Sequence, residues 1–333
     1  CDNLRNDVSV QFLAKKFLLS SMRIVGNKDL TNMFLYILND NIPPEALVYA
    51  AEYNHLDIIK IIFKIGIDVH RYMGEAILRA AGSDNLEIVK YLISKGADIH
   101  VSDDKILCIE AKHGHMEMIK YLIDQGADIH AWNDEALKSA SRFGHTEIAE
   151  YLINKGADVN AEPYNEYANP LCLASYNGHY KLVELLLNAG ANVHNCNDKS
   201  LQFASEYGYT QIVKLLLKAG ADVHIHDDYS LRIASLNGHS EIVELLLSNG
   251  SNVHAADEDA LCCATIKNHK AVVEILLKYG ANPRANNNEA LEQAIYYSHD
   301  GIVKLLIKSG ADINYAIKYT IEHNNKDITK LLR

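Results

Sequence analysis

The stretch Gly126-Ala127-Asp128-Ile129-His130 is written again and again along this chain. Near-copies open at Gly66, Gly96, Gly156, Gly190, Gly220, Gly250, Gly280 and Gly310. The spacing is thirty residues, broken once by thirty-four between Gly156 and Gly190. A fixed period of this size marks a stack of supersecondary units, each too small to bury its own apolar face. It overrides the two-domain expectation that 333 residues would otherwise give.

The recurrence has a local physical reason. An apolar helix pattern precedes each Gly, as with Ile119, Leu122 and Ile123. The helix must stop there, and Gly accepts the left-handed conformation of a C-terminal cap without a Cβ penalty. Lys95, Lys155, Lys218, Lys278 and Lys308 stand one or two residues earlier, where a cation suits the negative end of the helix dipole. The following Ala-Asp-Ile/Val turns the chain out into a connecting loop.

Two helical patterns are expected in each unit. In Glu135–Ala168 the first is short, with Leu137, Ala140 and Ser141 facing inward. Gly144-His145 breaks it, Thr146 is placed to cap the second helix, and Glu147 favours its positive end. Ile148, Ala149, Leu152 and Ile153 then form an apolar stripe at helical spacing. Residues 45–314 divide into nine such units, with a four-residue insertion near 162–169. Residues 1–44 read as a degenerate N-terminal capping unit, or alternatively as a separate small interaction module. Residues 315–333 read as a shortened C-terminal cap, with Ile317, Ile321, Ile328, Leu331 and Leu332 on its apolar side. Terminal units have a face without a neighbour, so their sequences must differ.

The pattern Gly-His-x-Glu-Ile-Val-x-x-Leu-Leu-x-x-Gly-x-x-Val, as in Gly238 to Val253, resembles the ankyrin repeat. The resemblance covers residues 45–333. It implies an all-α, elongated and curved solenoid of stacked antiparallel helix pairs with short loops. The family's Thr-Pro-Leu-His is reduced here to forms such as Glu135-Ala136-Leu137, and only Asn169-Pro170-Leu171 keeps the proline. Full β-hairpin fingers are therefore not expected, the stretch before Pro170 being the exception. The thirty-residue unit is similar to those of ankyrin proteins of giant, mimivirus-like DNA viruses of amoebae.

Net charge is −11, which argues against phosphate-backbone binding as the main task, so no nucleic acid is expected. No run of about 18 apolar residues is present, so no membrane span is expected. The first residues, Cys1-Asp2-Asn3-Leu4-Arg5, lack a basic start followed by an apolar stretch. The chain starts without Met, which leaves room for a preceding segment. Cys108, Cys172 and Cys262 share one place in their units, too far apart for disulfides across a stack. Free thiols and an intracellular setting are the expectation.

Most of the sixteen histidines fall on two ladders. One runs His70, His100, His130, His194, His224, His254; the other runs His55, His115, His145, His179, His239, His269, His299. Successive rungs stand about 8–10 Å apart, whereas a zinc ligand sits about 2 Å from its metal. No metal site is expected, and the rings are expected to hydrogen-bond the backbone of adjacent loops. In the related family the first ladder is usually Asn, as at Asn160 and Asn314; such positions resemble sites that a dioxygenase hydroxylates. Acidic loop tips at Asp103-Asp104, Asp227-Asp228 and Asp257-Glu258-Asp259 lack calcium-loop spacing and read as a solvated rim that attracts a basic partner.

No nucleotide-binding, zinc-protease or Cys-x-x-Cys motif is present, so neither catalysis nor a cofactor is expected. The resemblance implies a protein-binding scaffold, monomeric, engaging its partner through the concave face and loop tips, with a host protein as partner if the chain is viral. The alternatives are a regulatory or targeting module of a larger protein and a structural virion component. Candidate partner-binding residues are His113, Trp132, Arg142, Phe143, Tyr164, Tyr167, Tyr176 and Tyr207. Trp132 is the only Trp, and exposed aromatics are the usual anchors of an interface. The competing reading is that these rings pack on neighbouring loops.

Overall fold

The computed structural model describes residues 42–162, 169–323 and 328. Among them are nineteen α-helices and no strand, in line with the all-α expectation. The expected N-terminal cap over 1–44, apart from residues 42–44, lies outside the described residues. So do Tyr164, Tyr167, Leu331 and Leu332. The chain forms two compact units, residues 1–158 and 159–333.

The first unit contains α1 (Ala46–Glu52), α2 (Leu56–Lys64), α3 (His70–Gly82), α4 (Leu86–Ser94), α5 (Lys105–His113), α6 (Met116–Asp124), α7 (Ala131–Phe143) and α8 (Thr146–Asn154). The odd-numbered helices pack on one another in chain order, and each also packs on the even-numbered helix that follows it. The breaks inside a pair are short, so the chain doubles back. In the second unit the same alternation runs through α9 (Pro170–Tyr176), α10 (Tyr180–Asn188), α11 (Asn195–Glu206), α12 (Thr210–Lys218), α13 (Ile225–Asn237) and α14 (Ser240–Ser248). It continues through α15 (Ala255–Ile266), α16 (Lys270–Lys278), α17 (Ala285–Tyr296), α18 (Asp300–Lys308) and α19 (Ile313–Glu322).

The apolar spacing decides what is buried. Leu137, Ala140 and Ser141 of α7 and Ile148, Ala149 and Leu152 of α8 are all buried. Each large aliphatic side chain removed from water contributes about 1.5–3 kcal/mol. At the end of α6 the backbone N–H of Gly126 donates to Ile123 O at 3.0 Å, and that of Ala127 to Leu122 O at 3.0 Å. With φ of 98° at Gly126, this is a Schellman cap.

Several expectations are corrected. Thr146 does not cap α8; it is the first helical residue, and His145 stands at the N-cap position without a side-chain cap bond. The reason is that the His145 ring is engaged elsewhere, its Nε2–H donating to Lys112 O at 3.0 Å. Ile321 is not on the apolar side of the last described helix but 58% exposed, while Ile328 is buried. The acidic rim is only half solvated: Asp103, Asp227 and Asp257 are exposed, but Asp104, Asp228 and Glu258 are buried.

That last correction follows from an unexpected turn. Trp132, Asn133 and Asp134 all have positive φ (55°, 60° and 57°), forming a left-handed turn before the right-handed part of α7. Residues 102–104, 196–198, 226–228, 256–258 and 286–288 do the same. Left-handed residues cost about 1–2 kcal/mol each for most side chains, less for Asn and Asp, which are frequent here. The third residue of each turn turns its side chain inward. Asp134 accepts from Asp158 N at 3.0 Å, Asp198 from Asp222 N at 3.1 Å and Asp228 from Asn252 N at 2.8 Å.

The first histidine ladder is organised by the same carboxylates. The Nδ1–H groups of His100, His130 and His194 donate to Asp104, Asp134 and Asp198 at 3.0, 3.1 and 3.2 Å. Their partners are therefore side chains and not the backbone of adjacent loops. The hydrogen bond to Asp104, and then its charge, raises the pKa of His100 above the usual 6.5. The second ladder does reach backbone as expected: besides His145, the Nε2–H groups of His239 and His269 donate to Glu206 O and Leu236 O, both at 3.1 Å.

Candidate partner-binding surface

The residues that vary between repeats stand where the frame ends. In the first unit Phe143 and Arg142 close α7, and Lys112 and His113 close α5 beside them; all four are exposed. The Lys112 ammonium lies 5.7 Å from the centre of the Phe143 ring, a cation–π distance. His113 is held below the usual imidazole pKa, first by desolvation and then by the neighbouring His115, Lys112 and His145. The cations of the corner are Lys112 and Arg142, beside an apolar ring that is 45% exposed.

Trp132 stands apart from that corner. It opens the left-handed turn at the other end of α7, and the right-handed part from Glu135 to Phe143 spans about 12 Å at 1.5 Å per residue. Its indole N–H donates to Asp103 O at 2.9 Å, yet 49% of the residue remains exposed. One edge of Trp132 thus packs on the preceding turn, and the rest faces water. Beneath it, Lys138 is buried, its ammonium donating to Trp132 O at 3.3 Å and lying 3.2 Å from Glu135. The sequence did not mark this burial, because the same repeat position also carries Gln202, Arg232 and Glu292.

In the second unit Tyr176 ends α9 and Tyr207 caps α11. Their rings meet edge to face at 5.1 Å, and Tyr176 meets Phe203 in the same way at 5.0 Å. Tyr176 is 44% and Tyr207 43% exposed. A hydrogen bond with Tyr176 is the main reason that the Tyr207 phenol is pushed up to about 12. Tyr296 and Tyr297, at the equivalent place in a later repeat, are 66% and 48% exposed and meet at 4.9 Å. The sequence placed this pair at a variable position, but nothing in it marked them above the others.

Chemistry beyond recognition is sparse. The five described cysteines form no disulfide. Cys196 nonetheless sits beside Cys172, and a hydrogen bond from Cys172 lowers its pKa from 9.0 to about 7. Asp84, Glu110 and His115 are the one group of three or more potential metal ligands brought together among the described residues. No described helix is long and apolar enough to cross a membrane.

The crystal structure of the human ASB11 ankyrin repeat domain is similar to this chain at 25% identity, covering 55% of this chain and 95% of that one, with a TM-score of 0.48. No curated protein matches the sequence. The family profile of ankyrin repeats in three copies matches residues 21–103, 77–163, 162–227 and 231–317. The repeated helix pairs, the glycine caps and these matches, which together span most of the sequence, lead to one conclusion: the chain belongs to the ankyrin repeat family.

Proposed function

We propose that the protein is a non-enzymatic scaffold that binds a partner protein through aromatic side chains standing at the ends of its first helices and on its left-handed turns. Ankyrin repeats are general protein–protein interaction modules. The observation that supports the reading here is the exposure of Trp132, Phe143, Tyr176 and Tyr207, each between 43% and 49%, on an otherwise buried repeat frame. Large rings left in water on rigid elements are suited to interface anchoring. The exposed carboxylates Asp103, Asp227 and Asp257 favour a basic partner at the turns. We further propose an intracellular monomer, with a host protein as partner if the likeness to giant-virus ankyrin proteins reflects origin. A regulatory or targeting module of a larger protein is the second reading.

The test is quantitative capture from candidate host lysates by wild type, Trp132→Asn, Phe143→Ala and Tyr176→Ala/Tyr207→Ala. Asn suits the left-handed φ of position 132, as Asn286 does in its own repeat. At least one reproducible partner should be lost with each damaged patch. Equal recovery of every partner by all four proteins would remove this surface from consideration.

A further inference from the structure

Glu110 breaks an otherwise unbroken run of alanines at one position of the repeat. The equivalent residue is Ala50, Ala80 and Ala140 in the same unit, and Ala at every thirty-residue step from Ala174 to Ala294 in the other. All of these alanines are fully buried, and so is Glu110, with 0% exposure. A carboxyl group therefore occupies a core site built for a methyl group. One of its oxygens, Oε1, is buried without a hydrogen-bond partner. Such a group is costly to bury unless something compensates it.

A second break lies next to it. In several other repeats the histidine at the start of the second helix lies over a glycine of the preceding repeat. A Cβ on Gly114 would approach the His145 ring to 2.7 Å, and one on Gly208 would approach His239 to 2.7 Å. Under His115 that residue is Asp84, at φ 55°. His115 consequently does not reach the backbone of the preceding repeat as His145 does. Its Nδ1 lies 2.7 Å from Glu110 Oε2 and 3.8 Å from Asp84 Oδ1. Two departures from the repeat, Asp for Gly and Glu for Ala, thus converge on a redirected imidazole.

We propose that Asp84, Glu110 and His115 form a binding site for a divalent transition-metal ion of the zinc type, joining two successive repeats. One ligand atom from each of the three lies within 4.8 Å of the others. Two ligands around tetrahedral zinc stand about 3.4 Å apart, given bonds of about 2.0–2.2 Å, so small side-chain rotations suffice. One imidazole and two carboxylates suit zinc, cobalt or manganese better than calcium or magnesium, which take oxygen ligands. The unpartnered Oε1 supplies the buried ligand, and Asp84, 59% exposed at its side chain, provides the entry side. Burial and the nearby Asp84 raise the pKa of Glu110 to about 8. A cation between the carboxylates offsets their mutual repulsion and compensates the buried charge. The site adjoins the candidate surface, the His115 ring lying 5.6 Å from that of His113, but it does not rest on a partner binding there.

The test is calorimetric titration of the full chain, stripped with chelator, with zinc, manganese, calcium and magnesium salts. Cobalt absorption serves as a second readout of ligand geometry. Wild type should take up one zinc ion, with at least 10-fold weaker calcium and magnesium binding. Zinc at a 100-fold excess over its Kd should raise the melting temperature by about 5 °C. Asp84→Gly and Glu110→Ala restore the residues that other repeats carry, so both variants should keep the helical circular dichroism while losing the zinc event and the cobalt bands. Wild type that binds no zinc, or variants that bind it unchanged, would overturn the proposal.

Discussion

The carboxylate of Asp228 accepts the backbone N–H of Asn252 at 2.8 Å, twenty-four residues further along the chain. The same carboxylate takes the His224 ring. Glu258 repeats the arrangement with Asn282 N and His254, and Asn288 serves Asp312 N with an amide oxygen. One buried acceptor therefore fixes both a left-handed turn and the entry into the next repeat.

Asp228→Ala should leave the Asn252 N–H without its acceptor and place Ala in the left-handed region. A loss of about 1–3 kcal/mol is expected for the orphaned group. Asp228→Asn should lose less, because Asn288 shows that an amide oxygen fills the role. Urea unfolding compares the two, and hydrogen exchange at Asn252 locates the change.

Gly126 and Gly208 should respond differently to alanine. Gly126 has φ 98° and nothing within 4 Å of an added Cβ, so only backbone strain applies, about 1–2 kcal/mol. Gly208 has φ 79°, and its Cβ would also meet the His239 ring. The Gly208→Ala loss should therefore be larger and should shrink in a His239→Ala background. Thermal melts of the two single variants and the double variant decide this. Position 268 shows how the frame adapts: with Asn268 there, His299 uses Nδ1 instead and donates to Thr265 O at 2.9 Å.

Cys196 should be the most reactive described thiol at neutral pH. Its pKa is lowered to about 7 by the Cys172 hydrogen bond, whereas burial pushes Cys108 and Cys262 up to about 12 and Cys263 to about 11. Its iodoacetamide rate should be half-maximal near pH 7, and Cys172→Ala should move that midpoint toward 9. Because this folded-state pKa lies below the ordinary 9.0, the thiolate adds stability as pH rises from about 7 to 9 and loses it on the way back down. Peptide mapping after alkylation tests the rate order.

Lys138→Ala should loosen the Trp132 turn, because the buried ammonium no longer holds the Trp132 carbonyl. With a single Trp in the chain, fluorescence reports this directly. The emission maximum should move to longer wavelength and acrylamide quenching should increase while the helical signal is retained. An unchanged spectrum would show that the turn does not depend on Lys138.

The period, the helix pairs and the glycine caps were legible in the amino-acid sequence because each is local. A helix depends on contacts three or four residues apart, and a cap such as Gly126 depends on one backbone angle. The variable positions could be read for the same reason, and Phe143, Tyr176 and Tyr207 stand exposed at them. Only the tertiary structure decided the rest. It separated Trp132 from Phe143 by the length of α7, buried Asp104, Asp228 and Glu258, and joined carboxylates to amides twenty-four residues away. It also turned His115 from the backbone toward Glu110. The carboxylate–amide partners lie on neighbouring repeats, and which of several equally polar side chains meets which is set by how the repeats stack, a relation that periodicity alone does not contain.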